Sequence, residues 1–307
     1  MKNDYGYDII GDVHGHADAL ERILLKLGYT EKYGVYTHKT RQAIFVGDFI
    51  DRGPKQLRAI EIGMRMCRFG SALAVMGNHE LNAIGWARKN ASGEPYRIHD
   101  KKNLKQHQRF LEEITDGSLL HEEIINWFVS LPIWIDLPEL RVIHACWHEA
   151  SQDKISPYLD QKLCLYQSSI PDLFHRGSEA FNSVEILLKG PEIDLPSGSI
   201  FFDEEGNKRN AARIEWWLTG LSPPQDASGP GSRDEKGMLD HAMYQNYRYG
   251  AGKPVIFGHY WLKGTPSIDN PRAACIDYSV AKNNYLAAYR WSGENLLKDE
   301  NIIYVRA

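Results

Sequence analysis

Five short polar motifs, each preceded by an apolar run, constrain the fold of this chain more than any other feature. They are GDVHG at 11–15, GDFIDRGP at 47–54, GNHE at 77–80, VIHACWH at 142–148 and FGHY at 257–260. The preceding runs have the length and apolar content of buried strands. Ligands of α/β proteins bind at the carboxyl ends of the strands. The pattern therefore predicts strand ends that bring polar side chains to one rim.

Strand-like and helix-like segments alternate in the first eighty residues, which is typical of βαβ units. Apolar residues from Leu20 to Leu27 follow helical spacing, and Gly28 stands where a C-cap glycine is expected. Pro54 is placed to open a second helix. The strand-like runs of the chain are Tyr7–Ile10, Ala43–Val46, Ala72–Met76, Leu140–Ile143, Val255–Phe257, Ala273–Ile276, Tyr285–Tyr289 and Ile302–Val305.

Three further segments complete the predicted organisation. Residues 81–130 contain two amphipathic patterns and are expected to be a helical insertion. Residues 220–237 concentrate Pro, Gly, Ser and charge, which predicts a flexible loop or lid. From Val255 onward, closely spaced strand-like runs predict an added antiparallel sheet. With 307 residues, we expect one α/β domain over 1–307, with the insertion inside it.

Charge and cysteine usage narrow the class of protein. The formal net charge of −4 argues against a broad nucleic-acid-binding surface or a membrane-binding face. The four cysteines form no C-x-x-C pair, so a disulfide scaffold is not expected. The sequence has no apolar stretch of membrane-spanning length and no apolar region typical of a secretory signal. We therefore expect a cytoplasmic protein.

The motifs supply six oxygen and imidazole donors and no thiolate, and such a set suits Mn²⁺, Fe, Zn²⁺ or Mg²⁺. The predicted metal ligands are Asp12, His14, Asp48, Asn78, His144 and His259. Six donors are enough for two ions that share one carboxylate, and Asp48 is the natural bridge. Two such ions can clamp the attacking and leaving oxygens of an in-line displacement at phosphorus, with a bridging hydroxide as nucleophile.

The remaining motif residues then have roles around those ions. His79 follows the ligand Asn78 and is expected to protonate the leaving alkoxide as a general acid. Asp51 is expected to orient His79, and Arg52 offers a bidentate fork to phosphate oxygens. Together these residues predict a metal-dependent phosphoric ester hydrolase.

In this order, GDVHG, GDFIDRGP and GNHE, followed by the histidines of the two later motifs, resemble the calcineurin-like metallophosphoesterase superfamily. The similarity is to its phosphoprotein phosphatase branch, which also holds the symmetrical diadenosine tetraphosphatases. The resemblance implies a four-layer αββα sandwich of two mixed β-sheets flanked by helices. It also implies two divalent ions, with Mn²⁺ first and Fe, Zn²⁺, Ni²⁺, Co²⁺ or Mg²⁺ as alternatives. The first ion is then held by Asp12, His14 and Asp48, and the second by Asp48, Asn78, His144 and His259.

Three departures from that family pattern stand out. Many members carry a second histidine in the last motif, where this chain has Trp261. Bulky residues at 146–148 replace a small Gly-rich segment. The second phosphate-binding arginine of the branch cannot be aligned, and the candidates are Lys189, Arg209 and Arg213.

The substrate stays open at this level. The first option is a phosphomonoesterase that acts on phosphoserine or phosphothreonine in proteins. The alternatives are symmetrical hydrolysis of a dinucleoside tetraphosphate, and removal of phosphate from nucleotides or nucleic-acid ends. A metal-binding but inactive interaction protein and a plain nucleotide-binding α/β protein are rivals, although every motif residue is present and no P-loop or G-x-G-x-x-G sequence stands in a suitable place.

Several residues without motif support are interpreted as structural: His107, His121, His148 and His175. Trp216, Trp217 and Trp261 are interpreted as packing residues or as platforms that stack a base.

Overall fold

The computed structural model describes residues 6–194, 200–202, 208–218, 246–250 and 252–307. The strands, in chain order, are β1 (Gly6–Ile10), β2 (Thr30–Lys32), β3 (Val35–Thr37), β4 (Arg41–Phe45), β5 (Ala72–Ala74), β6 (Trp134–Asp136), β7 (Arg141–Ile143), β8 (Glu192–Asp194), β9 (Phe201–Phe202), β10 (Lys208–Arg209), β11 (Ala211–Arg213), β12 (Val255–Phe257), β13 (Ala273–Cys275), β14 (Asp277–Tyr278), β15 (Tyr285–Trp291) and β16 (Ile302–Arg306). The helices are α1 (Ala17–Lys26), α2 (Gln56–Arg68), α3 (Asn78–Ala87), α4 (Lys101–Glu113), α5 (Leu119–Val129), α6 (Glu149–Ile155), α7 (Ile170–Phe174) and α8 (Glu179–Lys189).

The first sheet is built around parallel strands that are buried on both faces. Its order is β14-β15-β1-β4-β5, and β16 pairs with β15. β1, β4 and β5 run parallel, with Ile9 opposite Ile44 and Ile44 opposite Leu73. Helices α1 and α2 pack on this sheet through contacts with β15, β16 and β5. This arrangement is the predicted βαβ order of the first eighty residues.

The second sheet has the order β13-β12-β7-β6, and its centre is parallel. β12 pairs in parallel with both β7 and β13. The prediction of an added antiparallel sheet from Val255 onward is therefore wrong for β12 and β13. Residues 255–257 are fully buried between two neighbours, as parallel strands usually are. β14, β15 and β16 do pair antiparallel, but they extend the first sheet.

Helix boundaries follow local hydrogen bonds. α1 ends at Lys26, and Gly28 follows with a φ of +89°, so the predicted C-cap glycine is confirmed. α2 begins at Gln56, two residues later than the prediction that places Pro54 at its first position. The carboxylate of Glu113 accepts the N–H groups of Gln56 and Leu57 at 2.8 and 3.0 Å, which caps the helix there.

One hydrophobic core contains strands of both sheets and the helices packed on them. The predicted mixed α/β architecture, with two sheets and flanking helices, is confirmed. α3, α4 and α5 lie within residues 78–129, and α3 contacts α5 while α4 contacts α2. The predicted loop at 220–237 lies outside the described residues. None of the helices in the described ranges is long and apolar enough to cross a membrane.

Candidate metal centre and catalytic site

The loops that follow β1 and β4 are hydrogen-bonded to each other, and this places the first two motifs side by side. The N–H groups of Val13 and His14 donate to the carbonyl oxygen of Asp48 at 3.1 and 2.8 Å. In return, the N–H of Gly53 donates to the carbonyl oxygen of His14 at 2.8 Å. Because β1 and β4 are parallel neighbours, both loops leave the same edge of the sheet.

Asp48 lies between two sets of buried ligand atoms. Its Oδ2 is 3.6 Å from Nε2 of His14, and its Oδ1 is 3.5 Å from Nε2 of His144. Nε2 of His144 is also 3.0 Å from Oδ1 of Asn78. The centroid of the His144 ring lies 5.1 Å from the centroid of the His259 ring. The two oxygens of one carboxylate therefore face different partners, as a carboxylate shared by two cations requires.

Asp12 approaches the same cluster from the end of β1. Its Oδ2 accepts a hydrogen bond from the backbone N–H of His259 at 3.0 Å. A Cβ atom at Gly258 would lie 2.0 Å from Oδ1 of Asp12, so a glycine is needed for this close approach. The FGHY motif therefore packs directly against the GDVHG motif, although 247 residues separate Asp12 from His259.

The cluster has the properties of a site for divalent cations. Buried polar atoms are rarely left unpaired, yet four here have no hydrogen-bond partner among the described residues: Oδ1 of Asp12, Nε2 of His14, and Nδ1 and Nε2 of His259. Ligand atoms within 4.8 Å of one another form two groups, His14–Asp48–His79 and Asp48–His144–His259. Carboxylate and imidazole donors without thiolate fit first-row divalent ions.

Two histidines are held in the tautomer that a metal ligand needs. Nδ1 of His14 is 2.9 Å from the carbonyl oxygen of Ile50, and Nδ1 of His144 is 2.8 Å from that of Val46. Each carbonyl can accept a proton only from Nδ1, which leaves the lone pair of Nε2 for a ligand. Burial lowers the pKa of His14 to about 3 and also lowers the pKa of His144. Both rings are therefore neutral at physiological pH.

Negative charge accumulates at the same place. Burial, followed by the charges of Asp277 and Asp48, raises the pKa of Asp12 well above its ordinary value. Burial likewise raises the pKa of Asp277 to about 6. Buried carboxylates that crowd one another need a compensating positive charge, and bound cations would supply it.

His79 and Asp51 form a buried pair beside this cluster. Nδ1 of His79 is 2.5 Å from Oδ2 of Asp51. Burial lowers the pKa of His79, but the Asp48 and Asp51 carboxylates outweigh burial, and the net pKa is raised. Nε2 of His79 lies 3.9 Å from Oδ2 of Asp48. This nitrogen could therefore meet either a leaving group or an ion.

Arg52 lies at the rim of the site, stacked on an aromatic ring. Its guanidinium carbon is 4.1 Å from the centroid of Trp261, and the ammonium of Lys282 is 4.2 Å from the same centroid. The Trp261 ring is also 6.4 Å from that of His14. The backbone N–H of Trp261 donates to Oδ2 of Asp277 at 2.8 Å, which fixes the loop that carries the ring.

The candidates for a second phosphate contact differ in their surroundings. Lys189 pairs with Glu185 at 2.5 Å on its own helix. Arg213 lies 5.8 Å from the ring centroid of Tyr260. After the larger effect of burial, the charge of Arg213 lowers the pKa of His259, and the charge of Lys189 has a smaller effect in the same direction. The side chain of Arg209 lies outside the described residues. Trp216 and Trp217 are in the core, in contrast to the half-buried Trp261.

Many residues of this site adopt a left-handed backbone conformation, which is uncommon outside glycine. Positive φ angles of 44°, 50°, 68°, 71°, 74° and 53° occur at His14, Asp48, Asp51, Arg52, His259 and Trp261. Such strain concentrates at functional sites, where the surroundings hold it in place. It lets sharp turns direct successive side chains toward one point.

Sequence reasoning assigned no functional role to three buried polar residues near the site. Asp277 accepts the N–H groups of Trp261 and Ser279, and His107 contacts Asp51. Glu80 accepts the N–H groups of Asp48, Phe49 and Gly77 at 2.8, 2.8 and 2.9 Å. For Glu80 the signal was present, since it is the last residue of GNHE. His107 has no motif.

Glu80 is expected to stabilise the loop that carries Asp48. Replacing Glu80 with glutamine puts an amide NH₂ against a backbone N–H donor, because both carboxylate oxygens accept. We expect the free energy of unfolding to fall by about 1–3 kcal/mol, measured by urea denaturation without added metal. Glu61→Gln on α2 is the matched control and should change stability little. Equal stability of the two variants would contradict this role for Glu80.

The family model and the relatives that match this chain all point to phosphoesterases. A family model described as calcineurin-like phosphoesterase matches residues 7–195. The asymmetrical bis(5'-nucleosyl)-tetraphosphatase PrpE of Bacillus subtilis strain 168 is 43% identical over 144 residues, covering 45% of this chain and 57% of the relative. The protein of that name from Oceanobacillus iheyensis is 33% identical over 139 residues, covering 45% and 54%. The chain thus spans about half the length of the curated relatives it matches.

A solved structure supports the fold over almost the whole chain. A protein serine/threonine phosphatase from Saccharomyces cerevisiae is similar, with a TM-score of 0.51 and 14% identity. The match covers 99% of this chain and 80% of that one. At this identity the likeness shows a shared fold.

Proposed function

Because this chain belongs to the calcineurin-like phosphoesterase family, we propose that it hydrolyses phosphoric esters with two divalent cations held around Asp48. The observation that carries the proposal is the division of this carboxylate between two sets of ligands. Oδ2 faces His14 and Oδ1 faces His144, at 3.6 and 3.5 Å. A single structural ion would need no such division.

The residues present fit two ions. Asp12, His14 and Asp48 would hold one ion. Asn78, His144 and His259, with Asp48, would hold the other. When bound, the ions supply an activated water and neutralise phosphoryl oxygens. We propose Mn²⁺ as the native ion because the family resemblance places it first, and the mixed carboxylate, amide and imidazole donors are compatible with it. Fe, Zn²⁺, Ni²⁺, Co²⁺ and Mg²⁺ are to be compared in the same assay.

The chain's own side chains would complete the reaction. His79, held through Nδ1 by Asp51, would donate the proton on Nε2 to the leaving oxygen. Arg52 would bind the equatorial phosphoryl oxygens, which spread negative charge in the transition state. We assign the second phosphate contact to Arg213, because its Nε is buried without a hydrogen-bond partner in the described part of the chain.

The test is hydrolysis of p-nitrophenyl phosphate and bis(p-nitrophenyl) phosphate with and without metal. We expect turnover with Mn²⁺, loss of at least about 100-fold after treatment with chelator, and recovery when Mn²⁺ is added back in excess. Mass spectrometry of the native protein should count two ions. Turnover that persists without bound metal, or saturation at one ion, would overturn the proposal.

A second candidate substrate, a dinucleoside tetraphosphate, is favoured by one observation at the rim. Lys282 and Arg52 both lie within 4.2 Å of the Trp261 ring centroid, so two cations share one platform. A phosphomonoester has one phosphoryl group, whereas a polyphosphate chain presents further charges to the second cation. The curated relatives named above are asymmetrical bis(5'-nucleosyl)-tetraphosphatases, which supports a dinucleoside tetraphosphate as the substrate class but not the symmetrical cleavage that the sequence resemblance implied.

Replacing Lys282 with alanine separates the two substrate classes. We expect kcat/KM for diadenosine tetraphosphate to fall about 3- to 10-fold, as for loss of one partly solvated ionic contact, with little change for phosphoserine peptides or p-nitrophenyl phosphate. Lys263→Ala, an exposed lysine of a neighbouring loop, is the control. Steady-state kinetics on the three substrates provides the measurement, and equal losses on all of them would count against the polyphosphate.

The same proposal extends to the whole chain. We propose one catalytic domain over 1–307, in the cytoplasm, with residues 81–130 as a helical insertion. The cysteines support a reducing compartment, since Cys67, Cys146, Cys164 and Cys275 are all unpaired thiols.

A further inference from the structure

Both oxygens of Asp51 are bonded to imidazole rings. Oδ2 is 2.5 Å from Nδ1 of His79, and Oδ1 is 2.9 Å from Nδ1 of His107. Asp51 and His107 are completely buried, and His79 is almost so. The pair proposed as general acid and orienting carboxylate is therefore part of a three-residue chain, His79–Asp51–His107.

The orientation of the His107 ring is fixed by its own packing. His107 lies on α4, and its ring stacks on Phe110 with centroids 4.7 Å apart and planes at 21°. On another side it contacts Trp86, with centroids 5.6 Å apart. Aromatic neighbours of this kind restrict the ring to one orientation. Nδ1 is thereby held toward Asp51 from a segment 56 residues away in sequence.

The direction of the hydrogen bond follows from its surroundings. Burial raises the pKa of Asp51, but hydrogen bonds from His107 and His79 outweigh it and the net pKa is lowered, so the carboxylate is ionised. An ionised carboxylate only accepts. Nε2 of His107 has no hydrogen-bond partner among the residues described. Nδ1 of His107 therefore carries a proton and donates it to Oδ1.

We propose that His107 is a positioning residue for the general acid. By donating to Oδ1, it fixes the rotation of the Asp51 carboxylate so that Oδ2 stays directed at His79. The χ2 torsion of an aspartate is otherwise broad, and a buried carboxylate oxygen without a donor would seek another partner. This inference rests on the proposed function, because it assigns His107 to the proton transfer that His79 performs.

If His107 positions the general acid, its loss should change the kinetics in a way that a loss of packing does not. An ester with a good leaving group, such as p-nitrophenyl phosphate, departs without much help from an acid. An ester with a poor leaving group, such as phenyl phosphate, needs a well-placed proton donor. Loss of positioning should therefore slow the poor leaving group selectively. Loss of general packing should slow both substrates or lower stability alone.

The experiment compares two substitutions in the intact, metal-loaded protein. His107→Phe keeps an aromatic ring and removes the donor, whereas His107→Asn keeps an amide N–H close to the position of Nδ1. We expect His107→Phe to lower kcat for phenyl phosphate about 10- to 100-fold, with KM nearly constant and p-nitrophenyl phosphate changed less than about 3-fold. His107→Asn should recover most of that loss.

A matched control and a second measurement keep the test decisive. His121→Phe changes another buried histidine that contacts Phe110 but does not contact Asp51, and it should leave the ratio of the two rates unchanged. Histidine-selective ¹⁵N NMR of the metal-free wild type should show Nδ1–H protons for both His79 and His107. The His79 signal should move in both His107 variants beyond its change in His121→Phe. This measurement applies even where a variant is too unstable for kinetics.

The outcomes separate the two proposals. If the wild type hydrolyses neither ester, the proposed function fails. If the wild type hydrolyses both and His107→Phe keeps the wild-type ratio of rates, or if the His107 proton is on Nε2, the function stands and the role of His107 is refuted. Equal slowing of both esters by His107→Phe also refutes it, because it indicates packing.

Discussion

Replacing Asp48 with asparagine should lower kcat for p-nitrophenyl phosphate by at least about 10³-fold, which corresponds to about 4 kcal/mol of transition-state stabilisation. The substitution keeps the shape of the side chain and removes its charge. One of the two ligand sets then faces an amide NH₂, which cannot bind a cation. Because the two oxygens face His14 and His144 separately, one ion loses its oxygen ligand, and the other loses the negative charge that the carboxylate shared with it.

The measurement is kcat and KM at saturating Mn²⁺, together with the number of bound ions from native mass spectrometry. Asp18→Asn is the control, since Asp18 is an exposed carboxylate on α1 whose contact is a surface pair with Lys55 at 2.7 Å. We expect that variant to retain wild-type kinetics and two ions. An Asp48→Asn protein that binds two ions and turns over within about 3-fold of wild type would contradict the shared-carboxylate arrangement, since a ligand change normally has a larger effect.

Replacing His79 with alanine is the second large effect we expect. General acids contribute about 10²- to 10⁴-fold, so kcat for phenyl phosphate should fall within that range and kcat for p-nitrophenyl phosphate should fall less. Both ions should remain bound. The metal count matters because Nε2 of His79 lies 3.9 Å from Asp48 Oδ2, close enough for a ligand of the first ion.

His148→Ala provides the control for His79. His148 contacts Ser151 at 2.8 Å and the ring of Tyr247, and no contact links it to the metal cluster within the described ranges. That variant should retain both the rate and the metal. If His79→Ala loses one ion together with its activity, His79 is a ligand and the acid must be sought elsewhere.

The outline of the site could be predicted because its residues stand next to the strands that position them. Asp12 and His14 follow β1, and Asp48 follows β4, so parallel pairing alone brings them to one edge. Membership in the predicted family is confirmed by the match over residues 7–195. Parallel pairing of β7 and β12 brings His144 and His259 together in the same way. Their approach to Asp48 does not follow from strand pairing, because β4 belongs to the other sheet.

The positions that sequence reasoning missed depend on contacts without a local pattern. His107 meets Asp51 only because α4 packs beside α2, and nothing in the surrounding residues indicates that approach. Glu80 stands in a quoted motif, but its partners are backbone N–H groups of another loop, which no side-chain pattern reveals. Asp277 likewise acts on backbone groups.

The errors in the fold have the same origin. Short apolar runs near the end of the chain indicate strands but not their partners, so β12 and β13 could not be assigned to a parallel sheet from spacing alone. The start of α2 depends on the Glu113 carboxylate, which arrives from a helix 57 residues further along. Neither the parallel partner of β12 nor the residue that caps α2 can be predicted from the neighbouring sequence.

The left-handed backbone at the metal loops has a consequence for the history of this protein. Each such residue costs about 1 kcal/mol relative to an ordinary conformation, and the cost falls on His14, Asp48, Asp51, Arg52, His259 and Trp261. A descendant that no longer needed catalysis would gain stability by drifting toward glycine or asparagine at these positions. Persistence of bulky and charged side chains there is therefore a mark of continuing selection for chemistry, and their erosion should be among the first traces of a lineage that has abandoned it.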